Sequence, residues 1–280
     1  MDTETWLDLA LVPVREWRGS INAGELMDYI AAGATDVGCV REKNEDSFLI
    51  DEPVGLYIVA DGMGGHVGGK MASSLAVKSI QASLKSEDST WQSEDPNTNI
   101  EDSAVPEALG AAVRLACATI FDRGVENESL SGMGTTVTAL ILRGPSAFIG
   151  HVGDSRCYIQ RGPRVVQITD DHSLVNEQVK AGLITEEQGA SSGMRNIITR
   201  SVGFERDVAV DTYAATVEAG DRVLICSDGL SNLVDDMEIG EEMAKKSPEE
   251  AVRNLIELAR VRGGDDNITV VCIALSAEMA

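Results

Sequence analysis

Basic residues are scarce in this 280-residue chain: 23 Lys and Arg stand against 46 Asp and Glu, a formal net charge of −23. A polyanion is held by Lys and Arg that displace its counterions, and no basic run of that density occurs, so nucleic acid is excluded as a partner. An anionic membrane surface is disfavoured on the same ground. Long apolar runs are missing too. Nothing approaches the roughly 18 to 20 uninterrupted apolar residues of a membrane helix, and no membrane contact is expected. A signal peptide is not expected either, because Asp2 and Glu4 stand where its basic region belongs and Asp8 and Pro13 break the apolar run 6–14. Cysteine is sparse and odd in number. Cys39, Cys117, Cys157, Cys226 and Cys272 form no Cys-x-x-Cys and sit in apolar surroundings, which reads as buried free thiols in a reducing, cytoplasmic compartment.

What remains is an ordinary globular composition, 43% hydrophobic and 25% charged, which excludes wholesale disorder. Residues 1–33 read as an N-terminal extension of open role, partly helical over 22–32, where Leu26, Met27 and Ile30 fall at helical spacing. Residues 34–276 read as one domain. Within it the acidic, Ser- and Asn-rich stretch 85–107 reads as a solvated loop between two helices. Strands are expected over 47–50, 56–60, 136–142, 146–152, 156–160, 165–168, 222–227 and 268–275. Several are apolar at every position, which implies burial on both faces. Helices are expected over 70–84, 106–127, 174–181 and 248–262, the last with Ser247 as N-cap and Pro248 at its first position. Strands in hairpins and helices in pairs predict an α+β sandwich of antiparallel sheets covered by helices.

The acids are not scattered. Strong strands run straight into Asp61-Gly62, Asp154-Ser155 and Asp228-Gly229, while Asp265-Asp266 and Glu45-Asp46 stand immediately before strands. Antiparallel neighbours bring one strand's end beside the next one's start, so all five spots can meet at one edge of a sandwich. Two carboxylates about 4 Å apart repel by roughly 4 kcal/mol at an effective dielectric near 20. Several such pairs would exceed a domain's net stability of about 5–15 kcal/mol. Either some acids are protonated or cations sit among them. With three histidines in the whole chain, the donors are almost all oxygen, which selects Mg²⁺, Mn²⁺ or Ca²⁺ over zinc or copper. The plainer alternative is that each Asp-Gly is a turn at a strand end. A second signal overlaps: Gly64-Gly-His-Val-Gly-Gly69-Lys70 fits the phosphate-cradling G-x-x-x-x-G-K, but Met71 replaces the required Ser or Thr. The glycines are better explained by close approach of backbone to a metal and its ligands just after Asp61.

These residues carry a family likeness. Arg41-Glu-Lys-Asn-Glu-Asp46, Val59-Ala-Asp-Gly-Met-Gly-Gly65, Gly132-Met-Gly-Thr-Thr136, His151-Val-Gly-Asp-Ser-Arg156, Asp171-His-Ser173, Ile198-Thr-Arg200, Ser227-Asp-Gly229 and Gly264-Asp-Asp-Asn-Ile-Thr269 resemble, in order, the signature blocks of bacterial-type PP2C (PPM) protein phosphatases. The likeness spans about residues 34–275. It implies a four-layer αββα sandwich, two antiparallel sheets flanked by antiparallel helix pairs. It also implies Mg²⁺- or Mn²⁺-dependent hydrolysis of phosphoserine and phosphothreonine in proteins, opposing a cognate Ser/Thr kinase, in a monomer.

Carried over residue by residue, the resemblance makes Asp61 the carboxylate bridging two metals, with the Gly62 carbonyl a ligand of one and Asp228 and Asp266 ligands of the other. Asp46, with Glu45 beside it, would hold the metals' water shell or coordinate directly. Asp154 would serve a weaker third site shared with Asp228, and Arg41 would grip the substrate phosphate. Two such ions lower the pKa of a bridging water for in-line attack on phosphorus, and a guanidinium fork suits two phosphate oxygens. Met63 stands where eukaryotic relatives often carry His, so the general acid is open between His66 and a metal-bound water, with a structural His66 as the alternative. His151 and His172 read as structural. Residues 174–200 resemble the mobile flap over the site, with its tip near 189–193. A catalytically silent, phosphoprotein-binding pseudophosphatase is the competing class, and the complete set of aspartates weighs against it.

Overall fold

The computed structural model describes residues 12–13, 27–64, 67–86, 91, 104–190, 192–245 and 247–277. In chain order the strands and helices begin with β1 (Val12–Pro13), β2 (Met27–Asp36), β3 (Ser47–Asp51), β4 (Leu56–Ala60), β5 (Gly62–Met63), α1 (Gly68–Leu84) and α2 (Ala104–Glu126). They continue through β6 (Gly134–Thr135), β7 (Val137–Arg143), β8 (Ser146–Val152), β9 (Arg156–Arg161), β10 (Arg164–Gln167), α3 (Leu174–Lys180) and α4 (Glu186–Ala190). The last are β11 (Asp211–Thr216), β12 (Arg222–Cys226), α5 (Asp228–Ser231), α6 (Asp236–Met243), α7 (Pro248–Val261) and β13 (Ile268–Ala277).

Two antiparallel sheets form the centre, one in the order β1-β11-β8-β7-β4-β3 and the other β10-β9-β12-β13-β2. The side-chain period of two explains the all-apolar strands. Along β4, Leu56, Ile58 and Ala60 pack toward α1 and α2, while Tyr57 and Val59 pack between the sheets against Leu140, Ile149, Val223 and Ile273. Along β12, Val223 and Ile225 face the partner sheet, and Leu224 and Cys226 face Leu255 and Ala259 of α7. Three apolar layers between four structural ones give the expected αββα sandwich. α2 is apolar and long enough to cross a membrane by composition alone, yet Leu109, Ala112, Val113, Ala116 and Ile120 are buried in the core. Ser247 caps α7, its hydroxyl accepting from the Glu250 N–H, and Pro248 takes the first position as expected.

Three expectations are corrected. The helix expected over 22–32 is instead a strand from Met27, since β2 pairs with β13 from Met27↔Ala277 to Ile268↔Asp36. Residues 22–26 lie outside the described residues. The boundary at 33/34 therefore falls inside a strand of the second sheet. Its small residues are dictated by packing: a Cβ on Gly33 would sit 2.9 Å from the Phe48 ring and 3.1 Å from Val271. Helix-prone alanines yield here to the tertiary environment. Second, Cys39 is exposed, whereas the other four cysteines are buried, and all five are free. Third, the stretch 85–107 is not wholly solvated surface. Trp91 is buried, its indole N–H donating to the Leu84 carbonyl and its own carbonyl accepting from Arg143, and α2 already begins at Ala104.

Candidate metal centre

The ends of β4, β8 and β12 and the starts of β3 and β13 converge as antiparallel pairing demands: Ser47 pairs with Ala60, Val137 with Val152, and Cys226 with Val270. Around this edge lies a cleft of about 320 Å³ lined by Glu45, Asp61, Asp154, Asp228 and Asp266, with Arg41 and Lys43 on one wall and Met63 and Ile198 on others. The Gly62 backbone also faces it. Asp46 lies just beneath, fully buried.

Each acid is aimed by its neighbours. Asp46 Oδ2 accepts from Thr269 Oγ1 at 2.6 Å and Ser227 Oγ at 2.9 Å. Asp61 is locked through its main chain: its N–H donates to Thr136 Oγ1 (3.0 Å), and its carbonyl accepts from the Thr136 N–H and Thr135 Oγ1, both at 2.8 Å. Asp228 opens α5, with Asn232 Nδ2 on its Oδ2 at 2.9 Å. Asp266 Oδ2 holds Arg41 at 2.6 Å. Asn267 staples the loop before β3, donating to the Val37 and Lys43 carbonyls at 3.0 Å and accepting from the Glu45 N–H at 2.8 Å.

Burial and mutual repulsion raise the carboxylates. Burial, reinforced by Asp228 and Asp266, pushes Asp46 up to about 7 despite its two hydroxyl donors. Burial and then Asp228 and Asp171 push Asp154 up to about 8. Asp61 is held well above the usual carboxylate range by burial and by Asp46, Asp228, Asp154 and Asp266 around it. Asp228 is raised by burial and then by Asp266, against the hydrogen bond from Asn232. Two buried carboxylate oxygens, Asp46 Oδ1 and Asp228 Oδ1, have no hydrogen-bond partner. An orphaned anionic oxygen is costly, and hard oxygen donors without partners are what Mg²⁺ or Mn²⁺ would satisfy, so the residues fit such ions. The acids nevertheless stand apart: among the described residues no three Asp, Glu, His or Cys side chains form a closed ligand group.

A family model described as protein phosphatase 2C matches residues 40–262. The chain belongs to the protein phosphatase 2C family. A serine/threonine phosphatase of Listeria innocua, Stp, is 36% identical over 244 residues, covering 85% of this chain and 93% of that one. The Mycobacterium tuberculosis serine/threonine phosphatase PstP has a solved structure that superposes with a TM-score of 0.80 at 36% identity, covering 90% of this phosphatase and all of that chain. A structure of the PstP catalytic domain in complex with two manganese ions gives a TM-score of 0.77 at 34% identity, with 90% and 100% coverage.

Within this PP2C protein, the structure brings Asp61, Gly62, Asp154, Asp228, Asp266, Glu45 and Arg41 to one cleft and buries Asp46 beside Glu45, outside the lining, while His66 lies outside the described residues. Arg41 and Asp266, expected to hold phosphate and metal respectively, hold each other. A pair this exposed is worth about 0.2–1 kcal/mol and exchanges readily. The P-loop reading, already set aside at Met71, gains no support, because Lys70 Nζ donates to the Asp46 carbonyl and Ser47 Oγ. Gly62 and Gly64 line the acidic cleft, and chain also approaches chain there: a Cβ on Gly62 would lie 2.1 Å from the Gly69 carbonyl oxygen.

His151 and His172 are structural. His151 is fully buried with Nε2 on the Asp170 carbonyl, and burial depresses its pKa to about 3. His172 Nδ1 accepts from the Gly153 N–H next to Asp154, and Nε2 meets Asp211 at 3.0 Å. In the segment expected to be a flap, Gly189 packs in α4, where a Cβ would sit 2.8 Å from Val175 of α3. Thr135, Thr136, Ser227, Thr269 and Asn267 escaped the sequence reading as positioning groups. Their one signal is membership of the Gly132–Thr136, Ser227–Gly229 and Gly264–Thr269 blocks.

Proposed function

We propose that this chain removes phosphate from phosphoserine and phosphothreonine in proteins at the acidic cleft, opposing a Ser/Thr kinase. The class of activity follows from family membership: it is a metal-dependent serine/threonine protein phosphatase. The observation that carries the site assignment is the convergence of five strand-end acids on one cleft, with two buried carboxylate oxygens left without partners.

Asp61 with the Gly62 carbonyl, Asp228, Asp266 and Asp46 would hold two Mg²⁺ or Mn²⁺ ions, Glu45 would support their surroundings, and Asp154 with Asp228 would offer a weaker third position. Bound there, the ions would supply a nucleophilic water at neutral pH and offset the negative charge on the phosphoryl oxygens. Arg41, on the wall of the cleft, binds and orients the phosphate through its planar fork, leaving Asp266 as it does so. Thr135 and Thr136 hold Asp61 from its main chain, so its carboxylate would receive the ions without reorganisation. The segment 174–200 would act as the flap, with Asn196 and Ile198 contributing to the cleft wall. Four buried free thiols support action in a reducing cytoplasm, and the chain is taken as a monomer.

The test is phosphate release from phosphoserine and phosphothreonine peptides. Turnover should require Mn²⁺ or Mg²⁺, vanish in EDTA and return when Mn²⁺ is restored. Well-folded protein that shows no turnover at any Mn²⁺ concentration would contradict the proposal.

A further inference from the structure

The glycine-rich run ending at Lys70 is a motif that the phosphatase chemistry leaves unused. In the fold it opens α1 against the segment that delivers Glu45 and Asp46. Lys70 Nζ donates to the Asp46 main-chain carbonyl at 2.5 Å and lies 3.3 Å from Ser47 Oγ. One turn later the fully buried Ser73 donates to the Glu45 carbonyl at 2.5 Å and touches Ser47 Oγ at 2.9 Å. Just before Lys70, Gly69 leaves no room for a side chain, since a Cβ there would sit 2.7 Å from the Gly62 carbonyl oxygen. Consecutive carbonyls of Glu45 and Asp46 are thus anchored to the first turns of one helix, while Asn267 anchors the Glu45 N–H from the opposite side. Fixing the peptide planes on both sides of an α-carbon fixes where its side chain points, and Asp46 points an unpartnered Oδ1.

We propose that Lys70 is a positioning residue for the metal centre: with Ser73 as second anchor, it holds the Glu45–Asp46 main chain so that the Asp46 carboxylate stands ready to ligate. The proposal rests on the assignment of Asp46 to that centre. Its sign is opposite to that of simple electrostatics. An ammonium near a divalent site repels the ion, so loss of its charge alone would tighten metal binding, whereas loss of the anchor weakens it.

Calorimetric titration of Mn²⁺ at 25 °C into wild-type, Lys70→Met, Lys70→Arg and Asp46→Asn proteins separates these, with the metal-free melting temperature measured for each. Lys70→Met should weaken Mn²⁺ binding about tenfold or more, the range for groups that orient a ligand. Because Lys70 is exposed, its metal-free protein should remain folded at 25 °C, so the change in Kd does not report unfolding. Lys70→Arg, which keeps a donor, should recover most of the affinity. Wild-type or tighter binding by Lys70→Met overturns the proposal. Wild-type binding by Asp46→Asn would instead remove the reading beneath it.

Discussion

At the scale of single residues, the two oxygens of Asp46 differ: Oδ2 is held by Ser227 and Thr269, and Oδ1 has no hydrogen-bond partner, as the proposed role of cation ligand requires. Acids held above their ordinary pKa make stability fall as pH rises. Asp46 and Asp154, pushed up to about 7 and about 8 by burial, bind protons in the folded state that the unfolded chain has already released. Their contribution is complete below the unfolded value near 3.8 and is lost as pH climbs through the folded values. His151, depressed to about 3, acts in the opposite sense, but its contribution levels off above its ordinary 6.5. In EDTA the melting temperature should therefore fall between pH about 7 and 8.5, and saturating Mn²⁺, which favours the ionised ligands, should reverse or flatten that slope. A rise in EDTA over this window would count against the shared acidic site. Arg41 gives a kinetic prediction: Arg41→Ala should raise KM for phosphopeptides about tenfold or more, the loss of a charged hydrogen bond, with a smaller change in kcat. An unchanged KM would refute the phosphate-binding role.

At the scale of elements, the strands that carry acids were legible because each is a short, mostly apolar run that leads into an acid or starts just after one. β2 was not, because Met27, Ile30 and a run of alanines imitate a helix, and only contact with Phe48 and Val271 reveals why its centre must be small. β11 and α6 were also missed, since neither holds an unbroken run of large apolar residues: β11 is Asp-Thr-Tyr-Ala-Ala-Thr, and α6 carries four acids in eight positions. The positioning groups Lys70, Ser73 and Asn267 act on backbone carbonyls and N–H groups, and no residue pattern announces which backbone atom a side chain will reach. The placement of β2 has a consequence for truncation. A chain beginning at Ala34 loses Met27, Tyr29 and Ala31 from the core between the sheets, together with the Tyr29 hydrogen bond to the Gly144 carbonyl. It should melt roughly 10 °C or more below a chain beginning at Met27, a difference of several kcal/mol. Equal melting temperatures would show that β2 is dispensable.

At the scale of the molecule, the charge of −23 separates into a dispersed surface share and a concentrated share at one edge of the sandwich. Antiparallel pairing produces that concentration, because it sets strand ends and strand starts side by side. The resulting repulsion is what divalent ions relieve, and it links the stability of the phosphatase to its activity. The most direct measurement is Mn²⁺-titrated phosphate release from a phosphothreonine peptide by wild-type, Asp61→Asn and Asp228→Asn proteins, with folding checked by circular dichroism. Both variants should lose more than about a hundredfold in turnover and bind Mn²⁺ more weakly, exceeding the cost of disturbing an outer-shell partner. Near-wild-type turnover in either folded variant would contradict the assignment of this cleft as the metal centre.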